Sequence, residues 1–129
     1  MNILLDTHIF LWYITKDNRL PARILDAIRR VDNRAYLSVV SLWEITIKYQ
    51  LGRLPLPQSP DIFIPEQRKR HHISHLDLNE TSVGQLVNLP EIHRDPFDRM
   101  LICQAIQHNP TLVTVDKDVQ RYPLQTLSA

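Results

Sequence analysis

The sequence predicts an α/β domain, a three-layer α/β/α sandwich around a central, mostly parallel sheet. Three observations point there. Short apolar runs alternate with stretches of helical spacing along almost the whole chain, the pattern of βαβ units with right-handed crossovers. The strand-like runs are brief and apolar, as in a sheet covered on both faces. Acidic residues stand where strands would end and helices begin, the edge at which such sheets bind ligands.

Asn2 to Leu5 reads as a short, buried first strand. A helix over His8 to Ile14 follows, and Asp17-Asn18 marks a turn. From Pro21 to Val31, the series Ala22, Leu25, Ile28 and Ile24, Ala27, Val31 recurs at helical spacing. Tyr36 to Val39 is a second strand, and Ser41 to Leu51 a helix stopped by Gly52. Leu54-Pro55-Leu56-Pro57 is an extended connector. Pro60 to Arg70 has helical character with an interruption expected at Pro65. Ile73 to Leu78 is a third strand, Asn79 to Val87 a helix, and Pro96 to Gln107 a stronger helix. Thr111 to Val115 and Leu124 to Leu127 supply the fourth and fifth strands.

A length of 129 residues with 43% hydrophobic content suits one domain over residues 1–129 with a real core. The net charge of +1 carries no polyanion-binding signal, so nucleic-acid binding has to be argued from a site. Cys103 is the only cysteine, which rules out a disulfide framework within the chain and fits a reducing cytosol. No basic leader precedes the first apolar run, and no apolar stretch approaches the roughly 20 residues that span a bilayer. These features predict a cytoplasmic protein. The two glycines, Gly52 and Gly84, cannot write a phosphate-cradling loop or a dinucleotide fingerprint.

Asp6 closes the run Ile3-Leu4-Leu5, and Asp116 closes Leu112-Val113-Thr114-Val115. Glu44 and Asp98 front helical stretches. Two like charges about 5 Å apart at an effective dielectric near 20 cost roughly 3 kcal/mol. A divalent cation would relieve such crowding, and oxygen donors suit Mg²⁺ or Mn²⁺. One or two such ions can activate water and stabilise a phosphodiester during in-line displacement.

Each acid also has a plainer reading. Asp6 can cap a helix. Ser41-Leu42-Trp43-Glu44 fits a capping box. Asp95-Pro96 fits a cap followed by proline at the first helical position, which leaves Asp98 in a first turn that favours anions. Asp116 and Asp118 fit a turn after a strand. The joint placement of four acids at one edge favours the metal site.

His71, His72 and His75 follow Arg68-Lys69-Arg70. Zinc would need a convergent set, and no cysteine helps. In an extended segment His71 and His75 share a face while His72 points away, so a solvated basic surface is the expectation. That surface could also touch a nucleic-acid backbone. Phe10, Trp12, Trp43 and Tyr49 are expected to pack in the core, and Cys103 to be a buried small hydrophobe.

The chain resembles the PIN-domain proteins, specifically VapC-type ribonuclease toxins of toxin–antitoxin pairs. The resemblance rests on Leu4-Leu5-Asp6-Thr7-His8, on Ser41-Leu42-Trp43-Glu44-Ile45 with Lys48 and Gly52-Arg53-Leu54-Pro55, on His93 to Leu101 with Gln104-Ala105, and on Val113-Thr114-Val115-Asp116. It implies Mg²⁺- or Mn²⁺-dependent cleavage of RNA by Asp6, Glu44, Asp98 and Asp116. It also implies that Thr7 and Thr114 stand behind these acids and that Arg99 contacts substrate or a neighbouring acid. Asp95, three residues from Asp98, could take its place at the metal. A homodimer and a cognate antitoxin protein are implied as well, and Trp12, Tyr13 and Trp43 are candidate interface residues.

Three other readings compete. One is a non-catalytic interaction module, which would lack an acid. Another is an acidic-edge phosphotransfer protein. A dehalogenase-like phosphatase would want an Asp where His8 stands, and a receiver would pair acids after the first strand, although Lys117 matches its lysine. The third is DNA as substrate, since nothing in the sequence reads a 2′-hydroxyl.

Overall fold

In the computed structural model, which describes residues 1–128, five strands form one sheet in the order β3-β2-β1-β4-β5. The strands are β1 (Asn2–Leu5), β2 (Arg34–Ser38), β3 (Ser74–Leu76), β4 (Thr111–Val113) and β5 (Thr126–Leu127). Every pairing is parallel, with Leu4 opposite both Tyr36 and Leu112. The helices are α1 (Thr7–Thr15), α2 (Ala22–Arg29), α3 (Val39–Gln50), α4 (Pro60–Arg70), α5 (Glu80–Gly84) and α6 (Pro96–His108).

The pleat of the strands sorts the core into two layers. Ile3, Leu5, Ala35, Leu37 and Val113 face one way and pack with Ile9, Ile24, Ile45 and Ile64 from α1 to α4. Leu4 and Leu112 face the other way, against Ile102, Cys103 and Ala105 of α6 and Val119 and Tyr122 beyond β4. The expected three layers are therefore present. β1, between β2 and β4, has Ile3, Leu4 and Leu5 all fully buried.

Most expected elements form, with shifted ends. The Ser41 capping box does not. Helix α3 begins at Val39, and Ser38 caps it by accepting the Val40 N–H at 3.0 Å. β2 correspondingly ends at Ser38, so one residue finishes the strand and starts the helix. Gly52, at φ +71°, does stop α3, with its N–H bonded to the Tyr49 carbonyl. The Pro65 interruption does not occur, and α4 runs through it. The carbonyl that loses its donor belongs to Asp61, which is exposed to solvent, while buried Ile64 and Gln67 anchor the helix. The expected helix at 79–87 is a short α5, capped by Asn79, that tightens into a 3-10 turn over Gln85–Asn88. Val31 lies beyond α2 and is exposed rather than part of its buried face.

Candidate active site

The carboxyl ends of β1, β2 and β4 lie side by side, and the residues after them carry the polar groups. Asp6 follows β1. Its N–H continues the ladder to the Val113 carbonyl at 3.0 Å. Its backbone has an N-cap conformation, but its carboxylate makes no cap bond. Instead Asp6 Oδ2 accepts the Thr114 hydroxyl at 2.8 Å. Thr7, the first residue of α1, donates its hydroxyl to Glu44 Oε1 at 2.8 Å and stands 2.8 Å from Ser41 Oγ. Since the Thr7 proton goes to Glu44, Ser41 donates to Thr7.

Glu44 is buried on α3, with Lys48 Nζ at 2.7 Å from its Oε2 one turn on. It is held inward by Thr7 and Lys48 and plays no part in a capping box. Asp98 lies in the first turn of α6, where the helix dipole should favour its anion. Its carboxyl is nevertheless pushed up to about 6, first by burial and then by the charges of Asp95, Asp6 and Glu44, with His93 pulling the other way. The Asp6 carboxyl is also raised, chiefly by burial and partly by Glu44, against the Thr114 hydrogen bond, His8 and Thr7. Three of the acids thus share one electrostatic neighbourhood, although they come from three separate elements.

Asp116 joins them through Thr114, whose hydroxyl oxygen accepts the Asp116 N–H at 3.0 Å while donating to Asp6. The carboxylate of Asp116 also closes the turn after β4, accepting the Asp118 N–H at 3.0 Å. Its other oxygen faces His93 Nε2 at 2.6 Å. Asp95 caps α6, accepting the Phe97 and Asp98 N–H groups at 2.8 and 3.0 Å. That oxygen is committed to backbone, and Asp95 reaches Asp98 only as a nearby charge. Arg99 is partly exposed and makes no ion pair with an acid; it lines a surface pocket with Glu91, His93 and Arg94. Its guanidinium donates to the Pro90 and His93 carbonyls at 3.1 Å each.

His93, Lys48 and Tyr122 are the site residues that sequence reasoning gave no role. His93 and Lys48 sat inside quoted motifs, and Glu44 to Lys48 at i, i+4 is a pairing signal. Nothing local pointed from His93 to Asp116. His71 packs edge-on against Tyr13, and His72 turns away at φ +57°. His75 lies 3.5 Å from Asp77. The three histidines do not converge. Phe10 and Cys103 are fully buried as expected, and burial raises the Cys103 thiol. Trp43 is not in the core: it is 56% exposed and packs edge-to-face on Phe97 at 5.0 Å.

The donor set at the sheet edge is all oxygen, which fits a hard divalent ion rather than zinc. Burial, with like charge nearby, raises Asp6 and Asp98, which fits it too. Among the described residues, no three His, Cys, Asp or Glu side chains stand close enough to share one ion as they lie. Lys48 and His93 occupy Glu44 and Asp116.

Residues 3–124 match the family model described as PIN domain. The chain belongs to the PIN domain family. This PIN domain is 26% identical over 121 residues to ribonuclease VapC22 of Mycobacterium tuberculosis, covering 93% of the chain and 91% of that relative. Its fold is similar to VapBC2 from Rickettsia felis bound to a DNA fragment from their promoter (TM-score 0.75, 19% identity, 99% of this chain and 98% of that one). It is also similar to VapBC-1 from nontypeable Haemophilus influenzae (TM-score 0.68, 22% identity, the same 99% and 98%).

Proposed function

We propose that this PIN domain is a divalent-metal-dependent endoribonuclease, the toxin of a toxin–antitoxin pair. The observation that carries the reading is the convergence of Asp6, Glu44 and Asp98 at one buried edge, where the Asp98 carboxyl is pushed up to about 6 first by burial and then by Asp95, Asp6 and Glu44, alongside the ribonuclease name of VapC22. Asp6, Glu44, Asp98 and Asp116 would hold Mg²⁺ or Mn²⁺, with a side-chain rotation releasing Glu44 from Lys48 while Asp116 stays bonded to His93 through one oxygen. A bound ion would activate water and offset charge on the phosphodiester. Thr7 and Thr114 orient carboxylate oxygens, and Arg99 fixes the loop before α6. Asp95 shapes the start of α6 and adds negative charge. No side chain serves as a nucleophile.

RNA as substrate and an antitoxin as partner rest on the names of the relatives. The groove of about 680 Å³ between α1, α3 and the Leu54–Pro57 connector opens beside Thr7 and Lys48 and is floored by Leu11, Ile45 and Phe63. A segment of an antitoxin seated there would lie next to the acids. One domain carries all of this, and no described helix is long and apolar enough to cross a membrane. A cytoplasmic setting suits an RNA substrate. Of the aromatic residues considered for a homodimer interface, Trp12 is covered by Arg19 at 5.1 Å and Tyr13 by His71, so Trp43 is the one left open.

The test is cleavage of labelled tRNA, messenger RNA and single-stranded DNA, with Mg²⁺ or Mn²⁺, by wild-type and Asp98→Asn protein. RNA cleavage by the wild type that disappears in the variant is expected. Full activity of purified Asp98→Asn would sink the assignment, and a preference for DNA would redirect the substrate.

A further inference from the structure

Both ring nitrogens of His93 have a partner, and these partners decide where its proton lies. The Tyr122 hydroxyl lies 3.0 Å from the His93 backbone N–H, whose bond it accepts. It lies 2.8 Å from His93 Nδ1. The Asp116 carboxylate can only accept, so Nε2 must carry a hydrogen, and in the neutral ring Nδ1 then takes the one proton the phenol has to give. Nδ1 is therefore the acceptor, and the ring carries its hydrogen on Nε2. That hydrogen points at Asp116 Oδ2, 2.6 Å away. The His93 carbonyl is pinned by Arg99, and Tyr122 is itself buried, packed in the layer under α6. The His93 side chain is only 11% exposed, whereas that of Asp116 is 38% exposed. A rigid, enclosed imidazole thus holds an open carboxylate by one of its two oxygens.

We propose that His93, with its tautomer fixed by Tyr122 and its backbone fixed by Arg99, is a positioning residue that aims the Asp116 carboxylate at the metal position. The inference rests on the reading of Asp116 as a metal-binding acid. Asp116 follows a three-residue strand and lies in a turn, so its side chain has few packing contacts to orient it. The Asp118 N–H restrains Oδ1 and His93 restrains Oδ2, which leaves the remaining lone pairs directed outward. Without His93, the carboxylate would sample several rotamers and bind an ion less well. Partners of this kind typically contribute 10–100-fold to metal affinity.

Two measurements test it. Nitrogen-15 NMR of metal-free protein reads the His93 tautomer directly. The Nε2–H form is expected in the wild type and a mixture in Tyr122→Phe; an Nδ1–H form in the wild type would overturn the clamp. Mn²⁺ titration by calorimetry reads the positioning. His93→Ala should weaken Mn²⁺ binding about 10–100-fold. His93→Gln, whose amide N–H can reach the same oxygen, should restore most of it. In an Asp116→Ala background, His93→Ala should add nothing; an equal further loss there would show that His93 acts elsewhere and would overturn the proposal. If Asp116→Ala leaves Mn²⁺ affinity unchanged, the metal role of Asp116 fails and the clamp has no object. A wrong tautomer together with weakened Asp116→Ala would remove the clamp alone. Circular dichroism of each variant separates these losses from unfolding.

Discussion

Thr114 donates its hydroxyl proton to Asp6 Oδ2 at 2.8 Å, across 108 positions of sequence. The Thr114 hydroxyl oxygen in turn accepts the Asp116 N–H. One small side chain at the end of β4 therefore fixes an acid on β1 and the turn that carries a second acid. This works because β1 and β4 are hydrogen-bonded neighbours, with Leu5 opposite Val113.

Thr114→Val keeps the shape and removes both bonds. Two part-buried polar partners are left short, and a loss of about 1 kcal/mol is expected by denaturant unfolding. The Asp6 carboxyl, already raised from 3.8, should titrate higher still, because the bond that lowers it is gone. A carboxyl raised in the folded state favours folding below 3.8 and loses that contribution as pH rises through its folded value. The variant should therefore lose stability over a window extending to higher pH than the wild type. Carbon-13 NMR of Asp6 reads the shift.

Asp98→Asn should stabilise the metal-free protein while removing cleavage. The Asp98 carboxyl titrates at about 6 when folded, against 3.8 unfolded. Its contribution is favourable below 3.8 and is lost as pH rises through about 6, so above that value the charge works against the fold. The gain at pH 8 should be about 1 kcal/mol, less than the full shift implies because the group is only partly buried. It should vanish near pH 4. Thermal unfolding at the two pH values reads it, and a destabilised variant at pH 8 would contradict the account.

Lys48→Met leaves Glu44 buried with Thr7 as its remaining side-chain partner. Lys48 keeps 40% of its side chain exposed while Glu44 keeps 5%. The expected cost is about 1–2 kcal/mol, below that of a fully buried pair. Mn²⁺ should restore more thermal stability to the variant than to the wild type, since ion and ammonium answer the same carboxylate. Equal increments in both proteins would argue against an ion at Glu44.

Trp43→Glu should abolish self-association. Trp43 and Val39, one turn apart on α3, remain 56% and 38% exposed. An aromatic anchor at the centre of an interface is worth about 2 kcal/mol or more, roughly 30-fold in dissociation constant. Light scattering against concentration would show the variant as a monomer. A wild type that stays monomeric at high concentration would remove the homodimer from the proposed function.

The sequence alone determined the alternation of elements and the sheet edge, and pointed to acids along that edge. Those properties are local: apolar runs such as Ile3 to Leu5, a glycine stop at Gly52, a cap and proline at Asp95-Pro96. Their signals lie within a few residues. Expectations failed where two local rules competed. Ser38 and Ser41 could both cap α3, and the packing of β2 chose Ser38. Pro65 could break α4, but exposed Asp61 let the chain proceed. Trp43 had the composition of a core residue, yet it shares with Val39 the exposed face of α3.

Only the tertiary structure decided which charges meet. That His93 lies against Asp116, Tyr122 against His93, and Glu44 between Thr7 and Lys48 follows from the sheet order and from the packing of α3 and α6 on opposite faces of the sheet. Hydrogen bonds and carboxyl shifts depend on separations of a few ångströms, and no spacing along a chain encodes a distance between elements that are brought together only when the core closes.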